Sequence, residues 1–337
     1  MRSRKNHTIT SEDVHGIARR WLLNQLSLTH QGYKCTAPVL LNILLLAAAR
    51  ATSIFDVCRD LVKAPSAHAV LDALAVTLPD AVTLEKRLNQ SLCAHLPRAL
   101  RRRKWPVAID LTLIPYYGKP QESEEEIYRS QPKSGTSNFH SYATACVIYQ
   151  GFRYTLGLVR VTRGEKMESV VKRLLRIVRD RGVKIEYILL DRGFFTLNVM
   201  QYLKRGGYPF VIPVVMRGRK KKDPKAAATG LHQFKTKRNG CYPYKHKLVA
   251  KKKAGVNIDI YVASKRHEHK KTGKLRFKKL VFAVWRLKGL PKEILEQYRK
   301  RFGIESSYRQ MNQGRIRTCS RDPVLRLLFV GIALVAA

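Results

Sequence analysis

Between residues 105 and 216 the chain runs through a succession of apolar patterns that leaves few folds open. "WPVAIDLTLI" (105–114), "SYATACVIY" (141–149) and "YTLGLVRV" (154–161) are apolar, β-branched runs bounded by turn residues, which predicts three strands. "EKMESVVKRLLRIVRDRG" (165–182) has a 3.6-residue apolar period and a glycine stop, the pattern of a helix. "IEYILLD" (185–191) predicts a buried strand, "TLNVMQYLKRGG" (196–207) a helix and "YPFVIPVVM" (208–216) a further strand. The first strands can meander as an antiparallel set. The later ones need crossover helices and so join as parallel neighbours.

That order fits an RNase H-like sheet. The expected class is α/β: an RNase H-like mixed sheet with helices, preceded by an all-helical N-terminal domain and interrupted by a basic β-rich insertion. We divide the chain into 1–100 (helical, a candidate DNA-binding domain), 101–216 (first part of the catalytic core), 217–289 (basic insertion) and 290–337 (C-terminal helices of the core). In the helical part, Thr10 with Asp13 forms a capping box, and Ser53 and Ser66 are natural N-caps. The pair of short helices joined by "KAPS" reads either as a helix-turn-helix, whose second helix would enter a major groove, or as part of an ordinary bundle, which the few polar side chains of the second helix favour.

The charge narrows the partners. The chain holds 65 Lys+Arg against 24 Asp+Glu, a net +41, and is drawn to polyanions. Residues 217–279 alone hold 22 Lys+Arg and 3 Asp+Glu. There we expect Lys220, Lys221, Lys222, Lys251, Lys252 and Lys253 to contact phosphates. "RNGC" (238–241) predicts a turn between two strands of this insertion. The apolar runs at 37–49 and near the C-terminus are too short to span a bilayer, so no membrane partner is expected. The last segment, "GIALVAA", has no stop signal, the pattern of a truncated chain. Six scattered cysteines without a C-x-x-C pair read as reduced thiols of a cytoplasmic protein.

Few acids stand where chemistry could use them. Asp110 lies inside an apolar strand, on the face opposite Val107 and Ile109; alternation alone also permits a solvated face. Asp191 ends a buried strand, where open α/β sheets place ligands, and could equally be an N-cap. Residues 292–312 read as one helix despite Gly303. On it Tyr298, Arg301, Glu305, Tyr308, Arg309 and Asn312 fall within an arc of about 100°. That arc is either a functional face or an ordinary charged face with Arg301–Glu305 pairing. Grouped together, Asp110, Asp191 and Glu305 would repel unless divalent metal neutralises them. Hard oxygen ligands select Mg²⁺ or Mn²⁺, and two ions about 3.5–4 Å apart suit in-line phosphoryl displacement. "ESEEE" (122–126) reads as a solvated loop, or else as a screen over the empty acid site.

These motifs resemble those of DDE transposases from bacterial and archaeal insertion sequences, most closely the insertion-sequence-four superfamily with its third motif Tyr-x2-Arg-x3-Glu-x6-Lys. Tyr298, Arg301 and Glu305 match that spacing, while Asn312 stands in the lysine position. "AIDLT" is similar to the first motif and "LLDRGFF" to the second; the 113 residues between Asp191 and Glu305 match the family habit of a β-rich insertion. The resemblance implies Asp110, Asp191 and Glu305 as catalytic acids holding two Mg²⁺ or Mn²⁺ ions. Water attack would free a 3′-hydroxyl at the element end, and that hydroxyl would attack target DNA. Tyr298 and Arg301 would position Glu305 or contact the phosphate near the cut. Asn312 carries no cation, so the phosphate contact expected there would either be lost or fall to Arg309 or Arg315. Trp285 would stack on an unpaired base or serve in the core. The implied partners are double-stranded DNA and a second copy, as a homodimer on DNA, in the cytoplasm and associated with the nucleoid. The alternatives are a nuclease that only cuts, a domesticated or defective transposase that binds without cleaving, and a basic RNA-binding protein.

Overall fold

The computed structural model describes residues 10–120, 123–150, 152–219, 227–248, 251–268 and 275–336; within these, the side chains of 124, 248, 251–254, 267–268, 276 and 302–307 lie outside the description. The N-terminal region is helical: α1 (Ser11–Leu26), α2 (Ala37–Ala49), α3 (Ile54–Asp60), α4 (Ala67–Thr77), α5 (Ala81–Cys93) and the short α6 (Ala99–Arg102). Local chemistry starts these helices where expected. Thr10 and Asp13 cap each other reciprocally, Ser53 caps α3 through the Asp56 N–H, and Ser66 caps α4 through the Ala69 N–H. Helix α2 is apolar on nearly every side, and its Leu40, Leu41 and Leu44 are fully buried.

The α/β region follows as β1 (Lys104–Pro115), β2 (Tyr128–Lys133), β3 (Thr136–Tyr149), β4 (Phe152–Val161), α7 (Met167–Asp180), β5 (Lys184–Leu190), α8 (Leu197–Arg205) and β6 (Phe210–Pro213). Then come β7 (Gly240–Leu248), β8 (Lys251–Glu268), β9 (Leu275–Trp285), α9 (Pro291–Arg299), α10 (Phe302–Gln313) and α11 (Pro323–Ala336). The described strands form one sheet in the order β2-β3-β1-β5-β6-β9-β8-β7, with β4 also paired to β3. β1 pairs antiparallel with β3 and parallel with β5, and β5 pairs parallel with β6. This is the mixed RNase H-like sheet, preceded by helices. The basic strands continue the same sheet, because β9 lies antiparallel against β6.

The sheet has a different cover on each face. Val107 and Ile109 of β1 face a core closed by α7 and α8. Ala108, Leu189, Val211 and Phe282 face the other way, beneath Ile294, Leu295 and Tyr298 of α9. A further core joins Leu40 and Leu44 of α2 and Leu88 of α5 to Met311 and to Leu328 and Ile332 of α11, with Tyr142 and Leu158 from the sheet. Asn89 of α5 acts as a substitute strand there: its amide both donates to the Leu158 carbonyl and accepts from the Leu158 N–H, each at 2.7 Å. α2 and α11 are therefore core helices, and among the described residues no single helix is long and apolar enough to cross a membrane.

Three local expectations are corrected. The segment 292–312 is two helices, because at Lys300 and Arg301 the backbone N–H groups reach back three residues, to Gln297 and Tyr298. "RNGC" makes no hairpin: Gly240 opens β7 after a 3₁₀ turn at Gly230–Lys235, and it does not take the left-handed conformation a two-residue hairpin needs. "ESEEE" is only partly a solvated loop, since Glu126 is buried at the end of a 3₁₀ turn.

Candidate active site

Asp110 sits in mid-strand, and the pleat points its side chain to the face beneath α9 and α10. That face is covered, so Asp110 is only 7% exposed. Asp191 is the first residue after β5. In the parallel register Ile109 lies beside Leu190, so the two aspartates stand level on neighbouring strands, whose spacing is about 4.8 Å.

Between them lies Arg301, at the break between α9 and α10. Its Nη1 donates to Asp110 Oδ2 at 2.6 Å, and its Nη2 stands 3.7 Å from Asp191 Oδ1. The guanidinium lies over the Tyr298 ring, 5.4 Å from the centroid, and Tyr298 in turn packs on Phe282. The other Asp110 oxygen accepts from the Leu111 N–H at 2.8 Å. Tyr308 of α10 is hydrogen-bonded both to the Asp110 carbonyl and to the Thr144 hydroxyl.

Burial pushes the Asp110 carboxyl up to about 6; Arg301 pulls it down, and the nearby Asp191 carboxylate adds to the rise. Burial works against the Arg301 charge, but Asp110, Tyr298 and Asp191 outweigh it and hold the guanidinium above its ordinary value. The pair is thus a buried acid and a half-exposed acid sharing one cation.

Glu305 falls on α10, one turn before Tyr308, and its side chain lies outside the description. Among the described residues no three His, Cys, Asp or Glu side chains gather as a metal site. The two aspartates do suit a hard divalent ion. They offer only carboxylate oxygen and already converge on one positive centre, the guanidinium.

A cleft of about 860 Å³ opens beside Asp191 and Arg301. Arg192, Lys235, Lys265, Lys278, Lys279 and Arg299 line it. The sheet register explains the gathering of these lysines. β9 runs antiparallel to β6, with Pro213 beside Phe282, so the residues before Phe282 project past the carboxyl ends of β5 and β6. Lys278 is paired with Lys265 there, and Lys279 with Ser264.

The other expected residues are dispersed. Arg309 and Asn312 are exposed on α10. Arg315 turns into the core beside His140, Tyr142 and Arg326. Trp285 pairs with Phe210, three residues along β9 from Phe282, and stacks on it against the α7–α8 core, with Lys204 and Arg286 over its ring. Lys220, Lys221 and Lys222 lie outside the described residues. Lys251, Lys252 and Lys253 begin β8, and their side chains are outside the description. The sequence alone assigns no role to Thr144, Tyr308 or the cleft lysines. Only Tyr308 carries a signal there, its place on the arc with Glu305.

An RNase H-like sheet with two aspartates level on adjacent strands, where the parallel pairing of β1 and β5 ends, defines a class built for nucleic-acid chemistry. A family model described as the transposase DDE domain matches residues 101–337, and the chain belongs to that family. Its members are transposases, which act on DNA and generally use divalent metal ions. A comparison with curated proteins found no match.

Proposed function

We propose that the chain is an insertion-sequence transposase of the insertion-sequence-four type, hydrolysing the phosphodiester at the element ends and joining the freed 3′-hydroxyl to target DNA. The observation that carries this reading is the convergence of Asp110 and Asp191 on one shared cation, within a chain of the DDE family. Asp110, Asp191 and Glu305 are the proposed catalytic acids and the ligands for Mg²⁺ or Mn²⁺. When bound, two such ions activate the attacking oxygen and stabilise the leaving oxygen.

The protein supplies the positioning. Asp110 is fixed by its own strand and by the Leu111 N–H, and Asp191 by the end of β5. The cationic cleft leads the DNA backbone to the acids, with Arg192 and Arg299 in its lining. Arg309 and Asn312 are exposed on α10 and available to DNA; Trp285 serves the core in this reading. The helical 1–100 region supplies a further DNA contact, and two copies hold two element ends.

The test is incubation with duplexes carrying the flanking element ends and Mn²⁺, followed by mapping of cut and joined strands. Wild type should nick at the ends and yield joined products. Asp110→Ala and Glu305→Ala should abolish cleavage while leaving DNA binding nearly intact. A wild-type protein that binds these ends and never cuts them would be a binding module instead.

A further inference from the structure

The guanidinium of Arg301 occupies the space a divalent ion would need. Its Nη1 is 2.6 Å from Asp110 Oδ2 and its Nη2 is 3.7 Å from Asp191 Oδ1. A hard divalent ion held by these two carboxylates would need the same oxygens. The remaining Asp110 oxygen is engaged by the Leu111 N–H. Charge points the same way, since a buried guanidinium and a divalent cation at one small site repel strongly.

The position is also well made for the guanidinium. The Arg301 side chain is only 8% exposed, lies against Tyr298 and spans the gap between strands β1 and β5. Without a cation, Asp110 would be a buried unpaired carboxylate, an expensive arrangement. An exit also exists, because Arg301 itself lines the cationic cleft with Asp191, Tyr298 and Arg299. It stands at the α9–α10 break, so a change of its side-chain rotamer towards the cleft requires no unwinding of either helix.

We propose that Arg301 is a resident counter-ion: it holds the acid pair together in the metal-free protein, and divalent metal enters by displacing it into the cleft. This rests on the reading of Asp110 and Asp191 as metal ligands. It gives Arg301 a role separate from positioning Glu305, and it makes metal entry and presentation of the guanidinium to a DNA phosphate one exchange.

The experiment uses full-length protein stripped with EDTA and dialysed. Mn²⁺ binding is read by electron paramagnetic resonance, and thermal unfolding is followed with and without Mn²⁺. Arg301→Gln should lower the metal-free midpoint and tighten Mn²⁺ binding about tenfold, the weight of one charged hydrogen bond. Its metal-induced rise in midpoint should exceed that of wild type. Arg301→Lys, which keeps a charge but loses the second arm, should fall between the two and serves if the glutamine variant does not fold. Unchanged or weaker Mn²⁺ binding in the folded Arg301 variants, with Asp110→Asn abolishing binding, would overturn the exchange while leaving the metal site standing. Equal Mn²⁺ binding by wild type, Arg301→Gln and Asp110→Asn would overturn the metal-ligand reading itself.

Discussion

The hydroxyl of Tyr308 donates to the main-chain carbonyl of Asp110 across 3.0 Å. A carbonyl can only accept, so the phenol proton lies on that bond, and Thr144, 2.8 Å away, donates to the phenol oxygen. One side chain thereby ties α10, the helix that carries Glu305, to the strand that carries Asp110.

Removing that hydroxyl should separate positioning from binding. Tyr308→Phe leaves the Asp110 carbonyl and the Thr144 hydroxyl without this partner, at a cost of about 1–3 kcal/mol in urea unfolding. Strand cleavage in single turnover should fall about tenfold, the penalty of about 1.4 kcal/mol in transition-state positioning. DNA affinity should stay at the wild-type level, since the hydroxyl faces the sheet and not the cleft. A variant with lower stability and full cleavage would show that the bond serves the fold alone.

The cleft lysines make a second expectation. Lys265 and Lys278 are exposed side chains on paired strands at the active-site end of the sheet. Lys265→Gln with Lys278→Gln should leave the unfolding midpoint unchanged and reduce the slope of log affinity against log salt by about 2, near 0.9 for each phosphate no longer neutralised. Lys172→Gln, on the opposite face in α7, is the control and should leave the slope alone. Fluorescence anisotropy of a labelled duplex across a KCl series gives both slopes. Equal slopes for the double variant and wild type would move the DNA path elsewhere.

What could be read in the sequence was what local chemistry decides. The caps at Thr10, Ser53 and Ser66 need partners only three residues away, and Asp191 at the end of "YILL" follows from one apolar run. The face of Asp110 followed from alternation, but its burial did not, because the cover comes from α9 and α10 almost two hundred residues later. The break at Lys300–Arg301 was invisible, since both residues keep right-handed helical angles and only the hydrogen-bond register changes. Charge counting found the basic insertion without giving it a direction. The antiparallel register of β9 decides that Lys278 and Lys279 line the cleft beside Asp191 while Trp285, at the other end of the same strand, does not. No periodic pattern announces that α11 and Leu88 of α5 share one core, where Gly331 meets Leu88 so closely that an added Cβ would stand 2.4 Å from it.

The same core gives a dependence on pH that is separate from the acids. His140 of β3 is 2% exposed, with its ring edge-on to Tyr116 and Arg315, Arg326 and Tyr142 around it. Burial first, then the positive charges of Arg326 and Arg160, lower its pKa from 6.5 to about 3. The folded protein therefore keeps His140 neutral where the unfolded chain takes up a proton. A folded value depressed in this way gives stability that is complete above about pH 6.5 and is lost as the pH falls towards 3. At pH 5 the linkage amounts to about 2 kcal/mol, from 1.36 kcal/mol for each unit below the unfolded value. His140→Phe keeps an aromatic ring against Tyr116 and removes the titrating group, so its stability should change less between pH 7.5 and pH 5 than that of wild type by about this amount. Urea unfolding of both proteins at the two pH values measures the difference. Parallel losses in the two would mean that His140 is protonated in the fold, with an acid partner it does not have among the described residues around it.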